Sequence, residues 1–145
     1  MPGDTAQRAR SDGGDLTDRD RDPEHVQFGE RVRSLAAEAR SAREQFDPPA
    51  TANADERALK CARDGVGPVV SLYVEARTGG RMVEFTSEEF RLLQRALNDW
   101  LAMYARCYGV DLDADFTIRE AAEMLLRTHN VLDTAQLLTC VPERY

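Results

Sequence analysis

Three aspartates in the segment DLDADF have the spacing of calcium ligands. Asp111, Asp113 and Asp115 occupy the first, third and fifth positions of an EF-hand loop, where carboxylates bind Ca²⁺. Two later positions depart from that pattern, because Phe116 stands where the loop needs glycine and Ala122 where it needs a bidentate glutamate. The segment is therefore predicted to be an acidic connector, and no metal site is expected there.

The histidines and cysteines form no catalytic or zinc-binding pattern. His25 is predicted in the first turn of a helix, and His129 at the end of a core-facing stripe, where histidine is more often structural than basic. Cys61, Cys107 and Cys140 are far apart and include no CxxC pair, so neither a disulfide framework nor a cysteine zinc site is expected. The chain also lacks a nucleophile elbow, a zinc-protease motif and a phosphate-binding glycine loop. We predict no catalytic residue and no cofactor, and we do not expect an enzyme.

Composition predicts a small acidic protein that does not enter a membrane. The 145 residues include 26 Asp and Glu against 19 Lys and Arg, which gives a net charge of −7, and Lys60 is the only lysine. No stretch is long and apolar enough for a transmembrane helix, and the N-terminus has no apolar core of a secretory signal. A cytoplasmic location is therefore predicted.

The run from Phe85 to Val110 is predicted to form the long helix around which the chain is organised, over about residues 87–108. Thr86 is a good N-cap with Glu89 completing a capping box, and Gly109 can adopt the left-handed conformation that ends a helix. Apolar side chains cover roughly half of its circumference. They are Phe90, Leu92, Leu93, Ala96, Leu97, Trp100, Leu101, Met103, Tyr104, Cys107 and Tyr108. So broad an apolar arc predicts contacts with two or more elements, and hence a central position.

Two segments precede the main domain. Residues 1–21 are rich in Asp, Arg and Gly and are predicted to be disordered, because they cannot bury enough apolar surface to offset their ordering entropy. Residues 22–46 are predicted to form a helical arm, followed by a linker at 47–53. The apolar residues of the arm recur in steps of four and three, the spacing of a coiled-coil seam. This candidate partner interface consists of Phe28, Val32, Leu35, Ala39, Ala42 and Phe46. Docking on its own domain, self-association and binding to another protein's helix all remain open.

A β-hairpin is predicted between the linker and the central helix. Residues 69–76 alternate apolar and polar side chains, as in a strand with one buried face. Gly79-Gly80 suits a tight turn, and residues 81–85 are the predicted return strand. A lone hairpin is marginally stable, so we expect it to pack on the central helix.

The predicted fold class is α+β, with a compact domain at residues 54–141. The domain begins with a short helix that Gly65 is expected to end. After the central helix, Thr117 is a candidate N-cap with Glu120 in a capping box, and Asp115 is the other candidate. Either Asn130 interrupts this last helical stretch, or one helix continues through it.

The leading functional prediction is a non-enzymatic interaction or assembly protein, acting as a homodimer through the arm or the hairpin edge. A protein partner bound through the arm is also possible.

The alternative is a DNA-binding regulator. Strand, helix, turn, helix is the element order of ribbon-helix-helix regulators, and the run TIREAAEMLLR resembles their second helix. A second predicted strand and a longer central helix depart from that family. The candidate basic stripe is Arg91, Arg95 and Arg106, but residues 66–145 carry 12 acids against 8 bases, which does not favour phosphate binding.

Overall fold

The computed structural model describes residues 23–78 and 83–143, and all regular structure within them is helical. These residues contain six α-helices: α1 (Pro23–Glu44), α2 (Ala54–Cys61), α3 (Gly67–Thr78), α4 (Ser87–Arg106), α5 (Ile118–Thr128) and α6 (Val131–Thr139). A 3₁₀ turn, Thr51–Asn53, precedes α2. The described part of the chain contains no strand, so the predicted α+β class is wrong and the fold is all-helical.

Some predictions fall on residues outside this part of the chain. The predicted disordered tail, residues 1–21, and the predicted turn at Gly79-Gly80 both lie there. Of the helices that are described, none has both the length and the apolar character that a membrane crossing requires.

The predicted first strand, residues 69–76, lies within α3. The apolar residues of this segment satisfy two periods at once. Alternation links Val70, Leu72, Val74 and Ala76, but Val74 is only half-buried and the side chains that are fully buried follow helical spacing. They are Val69, Val70, Leu72, Tyr73 and Ala76. Over so short a run the two patterns overlap, and packing of this face against the other helices decides for the helix.

The predicted return strand, residues 81–85, is also wrong within its described part. Residues 83–86 have no regular secondary structure. The Val83 N–H donates to the Ala76 carbonyl at 2.9 Å, which satisfies an acceptor near the end of α3. Residues 83–86 thus form a loop that follows α3 and ends at the N-cap of α4.

A π turn, Ala62–Val66, joins α2 to α3, so residues 54–78 form one continuous helical run. The Gly67 N–H donates to the Ala62 carbonyl, five residues earlier. Pro68 follows, and proline has no N–H to donate and crowds the carbonyl four residues before it. The wider turn accommodates that proline without ending the helix. The prediction that Gly65 ends the first helix is therefore wrong.

The prediction for the central helix is confirmed at both ends. Thr86 and Glu89 form the capping box, with the Glu89 N–H donating to Thr86 Oγ1 at 3.1 Å and the Thr86 N–H donating to Glu89 Oε1 at 3.0 Å. Gly109 has φ of 79°, and the Val110 N–H donates to the Ala105 carbonyl at 3.1 Å. This is the Schellman geometry expected of a glycine that ends a helix.

The apolar arc of α4 forms the core, and part of its polar side is buried as well. Leu93, Leu97 and Leu101 are fully buried. Glu89 and Asp99 are also buried, because α1 packs along α4 and covers that side.

The C-terminal helices are positioned by polar caps. Asn98 of α4 holds the preceding loop, since its side chain accepts from the Phe116 N–H at 2.7 Å and donates to the Phe116 carbonyl at 2.9 Å. Thr117 forms the predicted capping box at the start of α5. His129 ends α5 in a left-handed conformation with φ of 54° and is exposed, so its predicted core-facing position is wrong. Asn130 caps α6, so the helix is interrupted there.

Candidate functional site

The six seam residues of the arm lie inside the chain's own hydrophobic core. Phe28, Val32 and Ala39 are buried, and the other three are half-buried and packed against the core. Of the three arrangements left open by the sequence, the structure therefore contains docking of the arm on its own domain. A partner could reach this seam only after α1 had left α4.

Charged groups fix α1 on α4 at two places. Near the end of α1, Arg43 Nη1 donates to Asp99 Oδ1 at 2.8 Å, and Arg40 Nη2 lies 3.5 Å from the same oxygen. Near its beginning, His25 Nε2 and Arg33 Nη1 lie 3.7 Å and 3.9 Å from the Glu89 carboxylate. Buried carboxylates need such partners, because an unpaired buried charge is costly. These contacts position the arm.

A third pair joins the arm to α3 at the surface. The two terminal nitrogens of Arg31, Nη1 and Nη2, donate to the Glu75 carboxylate at 3.2 Å and 3.1 Å. These hydrogen bonds lower the pKa of Glu75. Glu75 is exposed, so solvent screens the pair and its contribution to stability is small.

The candidate basic stripe does not form one free surface. Arg91 and Arg95 are exposed on α4. The Arg106 guanidinium instead lies over the Phe46 ring, 5.4 Å from its centroid. The structure thus places the third arginine in a different environment, at the C-terminal end of the arm.

A cavity of about 410 Å³ lies beside that end of the arm, between α1, α2 and α4. We call it the α2 cavity. Its apolar wall consists of Ala42, Phe46, Trp100 and Met103. Trp100 can lie there because Gly65 has no side chain, and a Cβ at Gly65 would overlap the indole ring. The volume falls in the range of about 300–1,000 Å³ that is typical of small-molecule sites.

Cationic groups border the α2 cavity on the side of α2. Arg57 and Lys60 both line it, and the Arg57 guanidinium lies 5.3 Å from the centroid of the Phe46 ring. Two guanidinium groups, those of Arg57 and Arg106, therefore form cation–π contacts with the Phe46 ring. Asp64 is the acid of the lining, and its carboxylate lies 3.8 Å from Arg63 Nε.

Two buried cysteines lie beside the α2 cavity. Cys61 lines it, and Cys107 comes just after α4. A hydrogen bond between the two thiols, together with burial, raises the pKa of Cys61 well above its usual range. The same hydrogen bond, helped by the charge of Arg57, lowers the pKa of Cys107. Cys107 is thus the more acidic thiol of the pair.

Sequence analysis missed this pair and the α2 cavity. The predicted apolar arc included Cys107, but nothing in the spacing of the cysteines connects it with Cys61. An available signal was the position of Cys61 one turn after Arg57, on a helix that also carries the only lysine.

A second concave surface lies between α3 and α5. This α3–α5 groove, of about 390 Å³, is lined by Tyr73, Val74 and Ala122, with Leu126 at its edge. Leu126 is 56% exposed. Arg77 and Arg119 flank the groove, the former 5.5 Å from the centroid of the Tyr73 ring.

Neither site has the groups of a metal centre. Within the residues that the structure describes, no group of three or more His, Cys, Asp or Glu side chains could hold a metal ion. Asp111, Asp113 and Asp115 are exposed in the loop before α5. The linings of the two concave surfaces offer apolar and charged side chains, and Cys61 adds a thiol to the α2 cavity.

These features define an all-helical domain in which an N-terminal helix packs along a central helix. The chain belongs to a family described as a domain of unknown function, DUF8055, whose model matches residues 26–143. The match begins within α1 and extends past α6, so the arm and the helices it covers are part of one family domain. No curated protein and no solved structure matches the chain.

Proposed function

We propose that this protein is a non-enzymatic interaction protein that assembles as a homodimer through the α3–α5 groove, in the cytoplasm. The observation that carries the proposal is a groove in which the exposed Leu126 and the side chains of Tyr73 and Val74 lie beside charged residues. The seam of the arm is already covered by α4, so the apolar part of this groove is the more accessible surface.

A second copy of the chain fits this surface because the groove is self-complementary. A two-fold interface brings the same patch of both copies together, so each must supply both a protrusion and a recess. Leu126 supplies the protrusion, while Tyr73 and Val74 supply part of the recess. Phe90 extends the apolar area, with its ring centroid 6.5 Å from that of Tyr73.

The charges at the edge of the groove are also self-complementary. Arg77 and Glu123 both line it, on different helices. In a two-fold contact, Arg77 of one copy can pair with Glu123 of the other. Such pairs offset part of the repulsion between two molecules that each carry a net charge of −7.

The test is the mass in solution of the Leu126→Asp variant, measured by sedimentation equilibrium. We expect a dimer for the wild-type protein and a monomer for this variant, because the substitution places a carboxylate in an apolar contact. Leu137→Asp is the matched control, since Leu137 lies on α6 and is 54% exposed. It should leave the dimer intact.

Two results would refute this proposal. A monomeric wild-type protein at all concentrations would exclude self-association. A dimer that survives Leu126→Asp would place the interface elsewhere.

A DNA-binding regulator is the second candidate, because Arg91 and Arg95 are exposed on the same helix. The resemblance to ribbon-helix-helix regulators no longer supports it, since that comparison needs a strand where α3 lies. Retention on duplex DNA that weakens with added salt would favour this candidate over the first.

A further inference from the structure

We infer that the α2 cavity binds a small organic anion, with an aromatic or aliphatic body against its apolar wall and a carboxylate-like head between Arg57 and Lys60. This inference goes beyond the proposed function, because it concerns a different surface and a different kind of ligand.

The apolar wall selects a ligand with a hydrophobic body. Phe46 and Trp100 present aromatic surface to the cavity, and Met103 presents a polarisable thioether. Both aromatic side chains are only half-buried, so they retain surface that a ligand can cover. Burial of apolar ligand surface here would supply most of the affinity.

The charge on the α2 side selects an anionic head. Within the described ranges, neither Arg57 nor Lys60 forms a salt bridge with a carboxylate. The sequence has more acids than bases, yet these two cations have no acidic partner in the part of the chain that the structure describes. An anion bound between them would form charge-assisted hydrogen bonds, which are stronger than neutral ones.

A cationic ligand is disfavoured, because the acidic residue of the lining, Asp64, has surroundings that weaken its attraction for a cation. This carboxylate lies beside Arg63 and is exposed, so it is solvated and partly neutralised. A cationic ligand would instead face Arg57 and Lys60 directly.

Binding can be measured with 4-phenylbutyrate, using 4-phenyl-1-butanol as the matched neutral compound. Trp100 is the only tryptophan of the chain and lies in the cavity wall, so its fluorescence reports on this site alone. We expect a saturable change in Trp100 emission with the carboxylate, and binding of the alcohol that is at least several-fold weaker.

The contribution of charge is tested by Lys60→Gln against the control Arg91→Gln. Lys60 lines the α2 cavity, whereas Arg91 lies on α4 outside its lining. Both substitutions remove one positive charge from an exposed position. Lys60→Gln should weaken 4-phenylbutyrate binding by roughly three- to tenfold, and Arg91→Gln should change it by less than about twofold.

A second measurement needs no variant. Lys60 is the only lysine, so its acylation by an amine-reactive reagent can be followed by peptide mass spectrometry. Bound 4-phenylbutyrate should slow this acylation, while the alcohol should not.

Three results would overturn the inference. These are no saturable response of Trp100, equal affinity for the acid and the alcohol, and equal weakening by the Lys60 and Arg91 variants. None of them bears on the dimer, and the Leu126→Asp variant should bind 4-phenylbutyrate as the wild-type protein does.

Discussion

Gly65 lies at a place in the core that has no room for a side chain. It lies in the π turn, and an added Cβ would overlap three ring atoms of Trp100. The requirement for glycine here therefore comes from the close approach of another helix. Gly67, two residues later, has space for a methyl group, which would lie 3.7 Å from Val131 Cγ2.

These two glycines should respond in opposite ways to the same substitution. Gly65→Ala should lower the free energy of unfolding by about 1–3 kcal/mol, because the indole must move out of a packed position. Gly67→Ala should leave it unchanged or raise it by up to about 1 kcal/mol, as alanine favours helix. Urea unfolding followed by far-UV circular dichroism measures both, and equal effects would contradict the assigned contact.

At the scale of elements, a tyrosine connects the end of α4 to the start of α2. The Tyr108 hydroxyl donates a hydrogen bond to Asp55 Oδ1 at 2.8 Å. Burial of the phenol, followed by this hydrogen bond, raises the pKa of Tyr108 above its ordinary value. The protonated tyrosine is therefore the form that stabilises this contact between helices.

This contact predicts a dependence of stability on alkaline pH. The folded-state pKa of Tyr108 exceeds its unfolded value of about 10, so its contribution is complete below pH 10 and is lost as the pH rises further. Tyr108→Phe should cost about 1 kcal/mol at neutral pH and should reduce the loss of stability above pH 10.

Unfolding curves at several pH values between 8 and 12 provide the measurement. Tyr73→Phe is a suitable control, since no hydrogen bond of the Tyr73 hydroxyl is present within the described part of the chain. An unchanged alkaline slope for Tyr108→Phe would show that the hydrogen bond does not stabilise the fold.

At the scale of the whole molecule, the arm is part of the core. Phe28, Val32, Ala36 and Ala39 belong to the same buried cluster as the leucines of α4. Asp99 is 1% exposed only because α1 covers it. Without the arm, one side of α4 would present apolar surface to water, and the buried carboxylates would lose their partners.

Removal of residues 1–46 should therefore abolish cooperative unfolding. We expect the truncated chain to show a broad thermal transition and to aggregate, because a chain this small has little core to lose. A chain lacking only residues 1–21 is the control and should unfold cooperatively. If the chain that lacks residues 1–46 showed a sharp transition by calorimetry, residues 54–141 would fold without the arm.

Several sequence predictions that depend on residues close together in the chain were correct, whereas those that depend on contacts between distant segments were wrong or were not made. The capping boxes at Thr86 and Thr117 were predicted correctly because a cap depends on residues three positions apart. Residues 69–76 were assigned to a strand because their apolar pattern fits periods of 2 and 3.6 over so short a run. The pairing of Cys61 with Cys107, and the α2 cavity with it, could not be predicted because no local pattern connects residues on different helices.

The sequence by itself determined where the central helix begins and ends, which of its sides is apolar, and that an amphipathic helix precedes it. These properties depend on hydrogen bonds and side-chain spacing within a few turns. Only the tertiary structure decided that α3 is a helix and that the arm covers Asp99. It also decided that one thiol, two aromatic rings and two cations line one cavity. Each of these outcomes depends on contacts between segments far apart in the chain, whose free energies are not encoded in any single stretch of it.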